Sequence, residues 1–222
     1  MINKYFLHTA LLCLLFIGCK KDEYETVDRS YGKGYLYGAI GSYNVYKIEE
    51  IIYDDFFNTI DTQRYQIKEL NESIFFDNLN RRSMRIERYQ LNSKLQWEIL
   101  NVFYATEDNY GAERVEDNKR IAKLSFPFSV DAIWNVNQNN SDNPITVFYD
   151  FINQPYAINT FQFDSAIAVR NDAVNNSTRQ RQYYEVYVKD VGLVYKNTIS
   201  IDKNAGRQRG NKIKQQLIVH VP

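Results

Sequence analysis

The side chains that do most protein chemistry are scarce in this chain. Its 222 residues include two histidines, His8 and His220, and two cysteines, Cys13 and Cys19. A metal site of the usual kind needs several His, Cys or clustered carboxylates. A Ser-His-Asp or Cys-His nucleophile needs a histidine beside it. His220 stands alone near the C-terminal edge, where it reads as a strand residue. Neither Gly-x-Gly-x-x-Gly nor Gly-x-x-x-x-Gly-Lys-Ser/Thr occurs, so no phosphate-cradling loop is expected. Glycosidase-type work needs only two acids about 5–10 Å apart. The candidates are Glu49, Glu50, Asp54 and Asp55, with Glu107, Asp108, Glu116 and Asp117 in a polar run. Adjacent acids on a strand point to opposite faces, so neither Glu49/Glu50 nor Asp54/Asp55 is a ready-made pair. These acids read as solvated surface. No catalytic residue, metal or cofactor is expected.

The first 23 residues account for much of that scarcity. Lys4 is a positive n-region, residues 5–17 are an apolar run broken only by His8 and Thr9, and Gly18 is the small residue a signal peptidase requires. An apolar run of about 13 residues is too short to span a hydrocarbon core of about 30 Å, so residues 1–18 read as a cleaved signal. Phe16-Ile17-Gly18-Cys19 resembles the lipobox of bacterial lipoproteins, with Phe16 where Leu is commonest. The resemblance implies a diacylglyceryl group on the Cys19 sulfur and usually an acyl chain such as palmitate on its new amine. Two or three chains, at roughly 0.8 kcal/mol per buried methylene, anchor a protein to a membrane. Lys20-Lys21-Asp22-Glu23 follows, and Lys21, Asp22 and Glu23 resemble the surface-export signal of Bacteroidota lipoproteins. Together these imply an outer-membrane lipoprotein on the cell surface or the periplasmic face, its membrane contact made through Cys19.

Cleavage removes Cys13 and His8 and leaves about 204 residues, enough for one domain. Formal net charge is zero, so nothing points to nucleic acid. With Cys19 acylated, the mature chain has no disulfide or thiolate, and its 15% aromatic content must supply the core. Residues 19–41 read as lipidated cysteine and linker, and 42–222 as a single β-rich domain.

Strand signals fall at 43–53, 62–70, 95–105, 121–128, 145–152, 160–170, 193–202 and 212–221. The clearest hairpin is 73–76, a turn at 77–80, and 83–91, whose second arm puts Met84, Ile86, Arg88 and Gln90 on one face. Residues 106–120 and 135–143 read as loops, and Pro155 as a break between strands. Segment 182–190 is ambiguous between a helical face (Tyr183, Val186, Tyr187) and strand alternation. Gly192 suits a helix C-cap, so a short helix is expected there. Residues 203–211 read as a basic hairpin loop. The fold class expected is mainly β with a minor helix: a curved antiparallel sheet forming a half-barrel or a lipocalin-like barrel.

Tyr184-Glu185-Val-Tyr187-Val-Lys189-Asp-Val-Gly192-Leu-Val-Tyr195-Lys196 resembles the closing segment of uncharacterised Bacteroidota lipoproteins, and more distantly the half-barrel fold of periplasmic lipoprotein carriers. Ile60-Asp61-Thr62 and Lys123-Leu-Ser-Phe-Pro127 also resemble the former. The resemblance implies a short helix before a tightly turning glycine, and a curved sheet whose inner face can hold acyl chains or another apolar ligand. Trp97, Trp134 and the 17 tyrosines after the cut could line such a groove, although core packing and cross-strand pairs account for most of them. Trp134, beside the Asn-rich loop, is the ring expected at a ligand. Lys203, Arg207 and Arg209, with Lys212 and Lys214, could meet anionic headgroups or an acidic partner, or form a solvated tip. Asp164-Ser165-Ala166 resembles the short O-glycosylation pattern of Bacteroidota exported proteins, with Ser165 as acceptor. The function expected is a non-enzymatic, lipid-anchored envelope lipoprotein binding an apolar ligand or an envelope partner. A structural or accessory subunit of an outer-membrane complex is the alternative, and a carboxylate-based glycan hydrolase a third.

Overall fold

Every regular element is a strand in the computed structural model, which describes residues 32–222. The signal segment, Cys19, Lys21, Asp22 and Glu23 lie outside the described residues. β1 (Tyr43–Asp54), β2 (Thr59–Phe76), β3 (Arg82–Leu91), β4 (Trp97–Glu107), β5 (Gly111–Glu116) and β6 (Lys119–Ser125) form a meander. β7 (Ile133–Asn135), β8 (Thr146–Ile158), β9 (Phe161–Arg170), β10 (Val174–Asn175), β11 (Arg179–Val188), β12 (Gly192–Asn204) and β13 (Arg207–Val221) follow. The sheet runs β6-β5-β4-β3-β2-β1-β13-β12-β11-β9-β8-β7, with β10 paired to β11. Its last strand returns to pair with its first, Tyr43 opposite Val221.

The two ends of the sheet meet at a seam. Ala122 N–H, on β6, donates to Val136 O just past β7 at 2.8 Å. Trp134 Nε1–H donates to Ala122 O at 3.1 Å. The antiparallel sheet is thereby nearly closed into a barrel, which goes beyond an open half-barrel and covers both of its edges.

One core fills the barrel between β3–β6 and β7–β11, with Met84, Ile86, Phe103, Leu124, Tyr149, Ile167 and Tyr187 among its members. A second gathers Tyr46, Ile48, Ile67, Ala166, Ala168, Val186, Val188, Val194 and Leu217. β9 and β11 therefore bury both faces: Ile167 and Val169 belong to one core, Ala166 and Ala168 to the other. β8 makes this possible by slipping register at three places between Tyr149 and Tyr156. Pro155 lies within that bulged stretch of β8 rather than between strands, where its missing N–H costs the ladder least. The β8–β9 turn then reaches across to β13, and Asn159 Nδ2 donates to Leu217 O at 2.6 Å.

Three sequence expectations are corrected. Segment 182–190 is strand, not helix, for a reason that lies in the two cores. A strand buried on both faces is apolar or aromatic at nearly every position, so its period of two is hidden. Gly192 does turn the chain, at φ +92°, but it closes the β11–β12 hairpin. The run 106–120 holds β5 and part of β6, joined through Asp117 and Asn118, both at positive φ as a tight hairpin requires. The basic loop 203–211 shrinks to Ala205-Gly206, again both at positive φ, with strand on either side.

The segment ahead of β1 is held by the barrel. Tyr35 and Leu36 are buried in the first core. Glu107 accepts hydrogen bonds from Gly34 N–H (2.8 Å) and Leu36 N–H (2.9 Å). A Cβ on Gly192 would stand 3.0 Å from Leu36 O, so that glycine serves both the turn and this contact. Gly192→Ala is expected to cost about 1–3 kcal/mol, from positive-φ strain and displacement of residues 35–36, read as a lower denaturant midpoint.

Candidate functional site

The barrel interior is polar at its centre. Seven ionisable side chains from six strands form a file of alternating charge. Arg88 Nε (β3) lies 2.9 Å from Glu69 Oε1 (β2), which lies 2.7 Å from Arg114 Nη2 (β5). Arg114 Nε is 3.3 Å from Glu116 Oε1, and that oxygen is 3.6 Å from Lys123 Nζ (β6). Lys123 Nζ is 3.1 Å from Glu185 Oε1 (β11), and Lys196 Nζ (β12) ends the file at 3.9 Å from the same oxygen.

The surroundings explain why such charges are tolerated. Leaving one ion of a buried pair without its partner costs about 3–5 kcal/mol, so each needs a counterion and hydrogen bonds. Glu185, at 0% exposure, also accepts from the hydroxyls of Tyr183 and Tyr187, two residues either side on the same strand face. The guanidinium carbons of Arg88 and Arg114 lie 4.5 and 5.1 Å from the Phe103 ring centre, a cation–π arrangement. Burial works against ionisation of Glu69, Glu116 and Glu185, but the neighbouring cations outweigh it and hold all three below the usual carboxylate range. Lys123 is the mirror case: burial lowers its proton affinity, and Glu116 and Glu185 more than restore it. Carboxylates held ionised in this way are poor proton donors near neutrality. A cavity of about 130 Å³ opens beside the file, bordered by Leu36, Phe103, Glu116, Tyr187 and Lys196.

Two further hollows carry mixed linings. One of about 500 Å³ lies along β1, β2 and β13, between Lys47, Glu49, Arg64, Gln66, Leu91 and Lys214. Another of about 320 Å³ runs beside the seam, past Tyr110, Glu113, Ile133, Trp134 and Gln138. Among the described residues, then, the inner face presents packed core and charge where an apolar ligand cavity was expected.

The acids considered for glycan hydrolysis disperse. Glu49 pairs with Arg64 and Glu50 accepts from Tyr65. Asp54 and Asp108 cap turns, Glu107 holds residues 34–36, and Glu116 joins the interior file. Trp134 is buried, its ring 4.9 Å from that of Tyr149, where it closes the seam and borders the hollow of about 320 Å³ beside it. Ser165 is a half-buried residue of β9 whose hydroxyl donates to Asn153 Oδ1. His220 sits on β13 opposite Asn44, with Nδ1 2.8 Å from Asn44 Oδ1.

The basic residues of the β12–β13 hairpin do share a place, and it is next to something the sequence did not flag. Lys203 Nζ is tied to Asn175 and Asn176, Arg209 is exposed, and Arg207 Nη1 donates to Asp55 O in the β1–β2 turn at 3.1 Å. That turn carries Phe56 and Phe57, 80% and 72% exposed, their rings edge to face at 4.9 Å. Asp54 Oδ1 accepts from both of their N–H groups, and Asn58 closes the turn at φ 55°. Ile60 beside them is 67% exposed.

Fold and interior together define a nearly closed antiparallel barrel with a charged centre. No protein-family model matches the chain, and no curated protein matches it. Among solved structures it is similar to the crystal structure of a candidate lipoprotein from Parabacteroides distasonis, with a TM-score of 0.44 and 12% identity. That similarity covers 84% of this chain and 97% of the other.

Two outcomes test the interior file. Glu185→Gln leaves Lys123 without its closest counterion and is expected to cost about 3–5 kcal/mol by denaturant unfolding. Because Glu69, Glu116 and Glu185 have depressed folded-state pKa values, the stability they confer is present above the unfolded carboxylate pKa of about 4.3. It is lost as pH falls further. Through these three groups, thermal melts should drop steeply below about 4.3, with a shallower drop in Glu185→Gln. Melting that is equally stable at low pH contradicts the reading.

Proposed function

We propose that this chain is a non-enzymatic, lipid-anchored lipoprotein of the outer membrane that works as an accessory protein, docking an envelope partner on the tip of its β1–β2 hairpin. The anchor rests on the sequence: an apolar run of about 13 residues, too short to span, followed by Cys19 in a lipobox-like setting. Lys21, Asp22 and Glu23 support export to the cell surface. The observation that carries the partner is the turn with Phe56, Phe57 and Ile60. Large apolar side chains clustered on a fixed turn, exposed among the described residues, mark a contact surface. Burying both rings would contribute roughly 3–6 kcal/mol, about two to four decades of affinity.

The placement of the tip favours a partner over the anchoring bilayer. The chain enters β1 at Tyr43 and reaches the turn after Asp54, a strand of 12 residues and about 40 Å. The described chain therefore begins at the end of the barrel remote from the rings. The apolar-ligand alternative draws less support, because the lumen is occupied by core side chains and the charged file.

Two measurements test this reading. Cys19→Ala should move the protein from the membrane fraction to the soluble fraction, and continued membrane partitioning contradicts lipid anchoring. A photo-crosslinking residue at position 56 in intact Gram-negative cells should give a discrete adduct that one at the exposed Asp172 does not. Phe57→Asp should remove that adduct while leaving the circular dichroism spectrum unchanged. Adducts of equal yield from both positions contradict docking at the tip.

A further inference from the structure

The alternating file in the lumen does not balance. Three interior carboxylates, Glu69, Glu116 and Glu185, face four cations, Arg88, Arg114, Lys123 and Lys196. The cation left over is Lys196. Its nearest carboxylate oxygen, at 3.9 Å, already serves Lys123 at 3.1 Å, and among the described residues Lys196 Nζ makes no hydrogen bond. Its side chain is 21% exposed, and it borders the cavity of about 130 Å³. Arg114 Nε faces a similar shortage: it is buried, and Glu116 at 3.3 Å does not meet hydrogen-bond geometry. Asp117, exposed in the β5–β6 turn, also borders the cavity and stands in solvent.

We infer that this cavity is a binding site for one small oxyanion, a phosphate or carboxylate group, held by Lys196 with Arg88 and Arg114 alongside. A single negative charge would neutralise the file, and a group of that size fits the space. The proton affinity of Lys196 agrees with this. Burial lowers it first and the neighbouring Lys123 lowers it further, while Glu116 and Glu185 fail to make up the difference. That is the condition of a cation without its counterion. Lysine and arginine are the side chains that take oxyanions by charge-assisted hydrogen bonds, and those bonds strengthen away from water.

The test is titration of the purified protein with sodium phosphate and, separately, sodium acetate, against sodium chloride of equal ionic strength. By linkage, a saturating oxyanion should raise the melting temperature by about 5 °C or more over the chloride control. Calorimetric titration should give one site per chain. Lys196→Met should weaken binding at least tenfold, and Lys196→Arg should retain it. In oxyanion-free chloride, Lys196→Met should still fold cooperatively, because Lys123 remains the closest counterion of Glu185. A response to phosphate but not acetate assigns a phosphate-type group, and a response to acetate extends the site to carboxylates. No stabilisation beyond chloride by either anion overturns the inference, and that comparison needs no variant. Lys196→Met that binds as tightly as the parent, or that unfolds without oxyanion, also overturns it.

Discussion

Glu185 sets the terms for the rest of this structure. A carboxylate at 0% exposure in the middle of a strand is tolerable only if cations and donors reach it. Lys123 arrives from β6, Lys196 from β12, and the Tyr183 and Tyr187 hydroxyls from its own strand. Because Lys123 lies at one end of the sheet path and Glu185 near the other, their contact is possible only when the sheet curls round. The charge pair and the barrel therefore imply each other. Lys123 in turn brings Glu116, which brings Arg114, and so on to Arg88, so that one buried acid recruits side chains from six strands.

Closure is completed at the seam, where the ladder is thin. β7 has three residues, and Trp134 replaces much of the missing backbone pairing with one side-chain hydrogen bond and ring contact with Tyr149. On the opposite side, β1, β2, β12 and β13 are long and continue beyond the barrel to the Phe56–Phe57 turn. A rigid barrel at the base of that hairpin gives the exposed rings a defined position relative to the segment preceding β1. That segment is fixed as well, since Glu107 holds the backbone of residues 34 and 36. The exposed rings and the described start of the chain thus lie at opposite ends of one body.

Much of the fold was legible in the sequence. Alternation, turn residues and aromatic content identified a single mainly antiparallel sheet, and the 77–80 hairpin was placed correctly because its turn residues stand out, Asn80 N–H donating to Asp77 O with Asn80 at positive φ. The short helix at 182–190 was misread where burial on two faces erased the period, and Gly192 marked a turn of the wrong kind. Much less of the site was visible. Arg88 was seen to share a face with Met84 and Ile86, and a charge in register with core residues is the one signal that could have pointed inward. The partner acid, Glu69, lies in another strand, and only the register joins them. Trp134 was judged by its polar neighbours in sequence, whereas its burial comes from β6, ten or more residues away. Phe56 and Phe57 fall between the strand signals at 43–53 and 62–70, and exposure of a turn cannot be read from residue type.

The most direct test of this account is a double-mutant cycle on the pair that spans the closure, using Lys123→Met, Glu185→Leu and both together, with stability measured by denaturant unfolding. Each single substitution strands a buried charge and should cost about 3–5 kcal/mol. The double variant should be more stable than either single one, with a coupling energy of at least about 2 kcal/mol. Losses that add to within about 0.5 kcal/mol would show that the two groups act independently, and would contradict the claim that their pairing organises the barrel.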